Sequence, residues 1–114
     1  MKSPITTHVL DTTLGKPAAG VSVTLEMQQG NGTWKELACG VTNVDGRITD
    51  LLRENAQLVA GEYRLIFNTG EYFRRMSTET FYPKIAVEFT LKEDSHYHVP
   101  LLLSPFGYST YRGS

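Results

Sequence analysis

Eleven Lys and Arg against twelve Asp and Glu in 114 residues leave a formal charge of -1, and without a basic block or an aromatic-interleaved basic stripe nucleic acid is excluded as an expected partner. The length suits one domain, residues 1–114, able to bury its own core without disulfide staples. No run of about eighteen apolar residues occurs, and MKSPITTHVLD holds no apolar segment of the secretion-signal kind, so no membrane partner is expected and the chain reads as a soluble cytoplasmic protein.

The first expected element is a strand over residues 5–12, ITTHVLDT, with His8 and Leu10 on one face and Val9 and Asp11 on the other. Leu14-Gly15-Lys16-Pro17 breaks it. Val21, Val23, Leu25 and Met27 then alternate with Ser22, Thr24, Glu26 and Gln28, the clearest half-buried strand pattern in the chain. Gly30-Asn31-Gly32 turns into a strand over 33–41, in which Trp34 is expected to be partly buried. The single cysteine, Cys39, is expected there as a small buried residue in a reducing compartment, with a catalytic thiolate as the lesser alternative.

Asp45-Gly46 is a strong turn dipeptide that leaves Arg47 opening a short strand. Residues 50–60 have helical composition without a sustained apolar period and read as an irregular connection. Tyr63, Leu65 and Phe67 alternate with Arg64 and Ile66 in a strand over 62–68. Thr69 is placed to cap a short helix over 71–77, with Glu71 at its positive end and Phe81-Tyr82-Pro83 closing it. Ile85, Val87, Phe89 and Leu91 form another patterned strand, and Glu93-Asp94-Ser95 turns into the last hairpin. Seven or eight short strands, regular turn signals and one short helix predict an all-β, two-sheet sandwich.

The final stretch, His96 to Ser114, carries two of the three histidines. In an extended 96–103 segment His96, His98, Pro100 and Leu102 share one face, and Tyr97, Val99, Leu101 and Leu103 the other. Ser104-Pro105-Phe106-Gly107 supplies a turn, after which 108–112 can return antiparallel with Ser109, Tyr111 and Gly113 on one face. Polar groups on a buried face cost stability, so a purely structural hairpin has little use for His-x-His beside Tyr-Arg-Gly-Ser. We read the hairpin as a site.

A neutral imidazole takes a proton from water near pH 7 and a second can donate it later, which suits hydrolysis. His96 and His98 with His8 also offer three nitrogen ligands to a metal, although no Asp or Glu is placed to orient the rings. Arg47 either faces solvent or presents a planar fork to a carboxylate, imide or enolate oxygen. Tyr111 and Ser114 offer hydrogen bonds, and Tyr111 alternatively packs. No Gly-x-Ser-x-Gly motif supports a serine nucleophile. The residue chemistry reaches a polar cluster on a β-sandwich and leaves its substrate open.

THVLDTTLGKPAAGV at 7–21, TNVDGR at 42–47, FYPKI at 81–85 and the closing HYHVPLLLSPFGYSTYRGS together resemble, in order over nearly the whole chain, the transthyretin-related proteins. Within that superfamily, the terminal YRGS with the histidines is similar to the 5-hydroxyisourate hydrolases of urate breakdown rather than to the thyroid-hormone carriers. The resemblance implies a transthyretin-like sandwich assembled as a homotetramer, a dimer of dimers with active sites at the mouths of a channel along the dimer–dimer interface. It carries over His8, Arg47, His98 and Tyr111 as site residues. His98 with His8 would position and deprotonate water, Arg47 would stabilise charge on a substrate oxygen, and Tyr111 with the segment to Ser114 would hold the imide edge. The implied reaction opens the six-membered ring of 5-hydroxyisourate at its N1–C6 amide to give 2-oxo-4-hydroxy-4-carboxy-5-ureidoimidazoline, without metal or organic cofactor. His96 shares the parity of His98, so the choice of His98 as base rests on the resemblance. The alternative is a transthyretin-type small-ligand binding protein without turnover.

Overall fold

The computed structural model describes residues 3–92 and 95–114, so the expected turn residues Glu93 and Asp94 lie outside the described residues. In chain order the elements are β1 (Ile5–Asp11), β2 (Lys16–Pro17), β3 (Ser22–Gln28), β4 (Trp34–Val41), β5 (Arg47–Ile48), β6 (Gly61–Phe67), α1 (Thr69–Arg75), β7 (Ile85–Leu91), β8 (Tyr97–Ser104) and β9 (Gly107–Thr110). One sheet runs β2-β1-β8-β9 with β5 also paired to β1, and the other runs β4-β3-β6-β7. This is the expected two-sheet sandwich with one short helix. The strand number exceeds seven or eight because β2 and β5 are pieces of only two residues each.

Side-chain parity explains which face of each strand lies inside. On β8, Tyr97, Val99, Leu101 and Leu103 are buried, as are Val9 and Ile5 on β1 and Tyr63, Leu65 and Phe67 on β6. Burying an aliphatic or aromatic side chain is worth about 1.5–3 kcal/mol. A one-residue slip of β8 would therefore move four such groups to the wrong face. That locks His98 and Pro100 onto the outward side.

β1 and β8 run parallel, in the register Thr6 to His98 and His8 to Pro100. Thr7 Oγ1 donates to the Val99 carbonyl at 2.6 Å and Tyr97 N–H to the Pro4 carbonyl at 2.8 Å, tying the two strands along their length. β8 turns into β9 through Pro105-Phe106, since Ser104 pairs with Gly107. Trp34 is half-buried as expected; the Arg64 guanidinium, itself 2.6 Å from Glu26 Oε1, lies 4.1 Å from its ring centre.

Four expectations are corrected. The helix begins at Thr69 rather than near Glu71, and Asn68 occupies the N-cap position without a side-chain cap. Thr69 is therefore the first helical residue and not the N-cap, so its side chain does not cap the helix; it is fully buried and its hydroxyl donates to the Tyr82 carbonyl at 3.3 Å. The helix ends at Arg75, well before Phe81-Tyr82-Pro83, with Ser77 in the left-handed region at φ 52° and Thr78 N–H on the Phe73 carbonyl. Cys39 is exposed, because β4 is an edge strand and Cys39 pairs with Thr24, whose neighbours Val23 and Leu25 take the core side.

Arg47 is held by a tight loop. Asn43 Oδ1 accepts the N–H groups of Asp45 at 2.9 Å and Arg47 at 3.0 Å, and Asn43 N–H donates to the Arg47 carbonyl at 3.0 Å. Gly46 adopts φ 73°, and a Cβ there would run into the Val9 carbonyl oxygen of β1. Left-handed backbone costs a residue with Cβ about 1–2 kcal/mol, and overpacking typically adds about 1–3 kcal/mol. Gly46→Ala is therefore expected to lower unfolding free energy by at least about 2 kcal/mol in urea titration; a change under about 0.5 kcal/mol would contradict this account.

Candidate functional site

Directly paired strand residues share a face. His8 pairs with both Arg47 on β5 and Pro100 on β8, and Thr6 pairs with His98. The outward face of this sheet thus gathers Thr6, His8, Arg47 and His98, although they lie far apart in the chain. Beyond β9 the chain returns to the same place: Gly113 bridges His98, its N–H donating to the His98 carbonyl at 2.8 Å. Thr6, Thr7, Arg47, Thr49, His98 and Ser114 line one cleft of about 40 Å³.

The absence of a side chain at position 113 is a steric requirement. A Cβ on Gly113 would stand 2.6 Å from His98 Cδ2 and 3.2 Å from Pro100 Cγ. The terminal segment can lie over the imidazole only because this residue is glycine.

His98 is fixed from its other side by Thr6. Thr6 Oγ1 is 2.8 Å from His98 Nδ1 and 3.0 Å from His96 Nε2, and the two rings lie nearly parallel with centres 6.4 Å apart. His96 is exposed and precedes β8, whereas Thr6 is 2% exposed. His8 titrates below the usual histidine range, chiefly through burial and next through the nearby Arg47 charge; a hydrogen bond to the Asp45 backbone and the Asp45 charge oppose this. At neutral pH His8 is an uncharged ring beside a guanidinium, able to accept a hydrogen bond or a proton.

Of the residues singled out from sequence, Arg47, His98 and Ser114 meet in the cleft, and His8 lies beside Arg47 on the same face. Tyr111 is 57% exposed and borders an adjoining groove with Val87, Phe89, Tyr97 and Arg112, which shares His98 as a wall. Among the described residues no three His, Cys, Asp or Glu side chains are grouped as a metal would need. His96 and His98 instead direct one nitrogen each at the Thr6 hydroxyl, so the three-histidine arrangement is not formed. Sequence reasoning missed Thr6 and Gly113. Thr6 has the parity of His8, but only the parallel pairing sets it against His98.

A family model described as HIUase/Transthyretin family matches residues 5–113. The chain belongs to the HIUase/transthyretin family. It is 53% identical over 111 residues to a 5-hydroxyisourate hydrolase of Salmonella typhimurium, covering 96% of this chain and 80% of that one. It is 47% identical to the 5-hydroxyisourate hydrolase of Mus musculus, covering 98% and 96%. Among solved structures, Klebsiella pneumoniae 5-hydroxyisourate hydrolase superposes with a TM-score of 0.84 at 40% identity, over 96% of this chain and 98% of that one. Sea bream transthyretin in complex with thyroxine gives 0.90 at 34% identity, over 96% and 94%. Both members of the family share the backbone, so the fold does not distinguish them and the side chains of the face must.

Because folding lowers the His8 pKa, the unfolded chain binds more protons between the lowered value and about 6.5, and stability must fall as pH falls through that window. His8→Gln is expected to flatten this part of a Tm-against-pH curve, and an unchanged slope would contradict it. Gly113→Ala is expected to lift the terminal segment off His98, moving the His98 ring resonances while Tm shifts by no more than about 4–8 °C.

Proposed function

We propose that the chain is a 5-hydroxyisourate hydrolase, opening the six-membered ring at the N1–C6 amide to give 2-oxo-4-hydroxy-4-carboxy-5-ureidoimidazoline on the route from urate to allantoin. The observation that carries this reading is the convergence of His98, Arg47 and Ser114 in one cleft. A channel for an apolar hormone would call for aliphatic lining there, whereas an imidazole and a guanidinium suit a polar amide. The similarity to curated hydrolases supports the same choice.

With Nδ1 engaged by Thr6, proton transfer at His98 runs through Nε2. Water gives a proton to Nε2 as its oxygen attacks C6, and the charge that develops on the C6 oxygen is stabilised by Arg47. The C6–N1 bond then breaks, and N1 takes the proton from Nε2, so His98 ends the cycle neutral. His8 orients water and substrate. Ser114 holds the imide edge from within the cleft and Tyr111 from the adjoining groove. A positioned base contributes typically about 10²–10⁴-fold, and a lost oxyanion donor costs about 10²–10³-fold.

In this reading the active form is a homotetramer, a dimer of dimers with each site completed at the dimer–dimer interface. A cleft of about 40 Å³ is small against the roughly 300–1,000 Å³ of a typical ligand pocket, which supports a contribution from a second copy. Leu10 and Leu102, half-buried on the same outward face, offer apolar area for that contact, and β7 and β9 are edge strands with which copies can pair. No helix among the described residues is long and apolar enough to cross a membrane. The exposed, unpaired Cys39 suits a reducing, cytoplasmic setting.

The test generates 5-hydroxyisourate in situ from urate with urate oxidase and follows decay of its ultraviolet absorbance, with and without a chelator. Acceleration that survives chelation is expected; acceleration lost on chelation would indicate a metal hydrolase. His98→Asn is expected to reduce turnover at least about 10²-fold and Arg47→Lys about 10²-fold, with folding and assembly retained. A folded wild-type protein that leaves the spontaneous decay unchanged would be read as a small-ligand binding protein.

A further inference from the structure

The Thr6 hydroxyl meets two imidazoles with one proton. It lies 2.8 Å from His98 Nδ1 and 3.0 Å from His96 Nε2. A threonine hydroxyl donates once and accepts through its lone pairs, so it donates to one ring and accepts from the other. Two arrangements satisfy both contacts. If Thr6 donates to His98 Nδ1, the neutral His98 carries its proton on Nε2 and has no lone pair there. If Thr6 donates to His96 Nε2, His98 donates from Nδ1 to Thr6 and keeps its lone pair on Nε2.

The exposure of His96 permits the second arrangement, and the chemistry of the step favours it. His96 is exposed, so its Nδ1–H is satisfied by water and its Nε2 can remain an acceptor at no desolvation cost. In addition, His98 that already donates from Nδ1 gains a proton at Nε2 without any change in its contact to Thr6. The site then needs no reorganisation during the step.

We propose that Thr6 is a positioning residue which, with His96 as its acceptor, holds His98 in the Nδ1–H tautomer whose Nε2 takes the proton from water. The proposal deepens the hydrolase reading and rests on His98 as its base. Thr6 acts through the imidazole, its hydroxyl being committed to the two rings. Its burial, at 2% exposed, keeps bulk water from competing for His98 Nδ1 and leaves the choice of tautomer to the protein. His96, which sequence parity could not separate from His98, becomes the outer end of a hydrogen-bonded chain.

The experiment has two readouts. Long-range proton–nitrogen spectra of ring-labelled wild-type protein, at a pH where His98 is neutral, are expected to show protonated Nδ1 and unprotonated Nε2; the Nε2–H pattern would overturn the proposal. Thr6→Val, which keeps shape and removes the hydroxyl, is expected to lower kcat about 10- to 100-fold with KM within about 3-fold, and to shift the ring spectrum toward Nε2–H. Thr6→Ser is expected to recover kcat to within about 3-fold of wild type, as is His96→Gln, whose side-chain carbonyl can accept from Thr6. Wild-type kcat in Thr6→Val, alongside an inactive His98→Asn, would also overturn it. An active His98→Asn would instead overturn the assignment of the base, and the ring spectra, which need no turnover, keep that failure separate.

Discussion

The parallel pairing of β1 with β8 is the constraint on which the site depends. Strands at opposite ends of the chain meet in a register that sets Thr6 against His98 and His8 against Pro100. The inward side chains of the same strands, Ile5, Val9, Val99 and Leu101 among them, belong to the hydrophobic core. Core packing and site geometry are therefore two faces of one pairing. A register slip that misplaced His98 would also expose the core, so the burial free energy that holds the sandwich together holds the imidazole in place.

Two close approaches of backbone complete the face. Gly46 lets the loop from Asn43 to Arg47 press against β1, where Val9 N–H donates to the Gly46 carbonyl at 2.7 Å, and this sets Arg47 beside His8. Gly113 lets the terminal segment cross over the His98 ring and bring Ser114 into the cleft. Both contacts need a residue without Cβ, the first also for its positive φ. The Asp11 carboxylate anchors the other end of β1, accepting from Thr13 and Leu14 N–H at 3.0 Å and from the Tyr72 hydroxyl at 2.8 Å. Burial and that carboxylate together raise the Tyr72 pKa, so the contact stays a neutral phenol on a carboxylate.

The backbone is common to a hydrolase and a hormone-bound transthyretin, at TM-scores of 0.84 and 0.90. On the outward face of this sheet a few polar side chains stand together. A neutral His8 beside Arg47, and His98 sharing the Thr6 hydroxyl with His96, form a polar surface on a sheet that packing alone would fill with aliphatic groups. Such a surface is costly to bury unless each polar group has a partner. Among the described residues no buried side-chain nitrogen or oxygen is left without one.

Local pattern determined a large part of this protein. Alternation in β3, β6, β7 and β8 settled which face of each strand is apolar, because side chains on extended backbone alternate whatever their partners are. Asp45-Gly46 and Gly30-Asn31-Gly32 specified turns through the backbone freedom of glycine, and the shared parity of His96 and His98 was legible for the same local reason. Only the tertiary structure decided what these faces meet. Thr6 and His98 are 92 residues apart, and their contact exists because two distant strands pair in parallel. Cys39 is exposed because its strand lies at a sheet edge, and the Thr69 hydroxyl goes to Tyr82 because the chain after the helix folds back against it. Parity is a property of a strand by itself; register and partnership are properties of the whole packed chain, set by which pairing buries the most apolar surface with its polar groups satisfied.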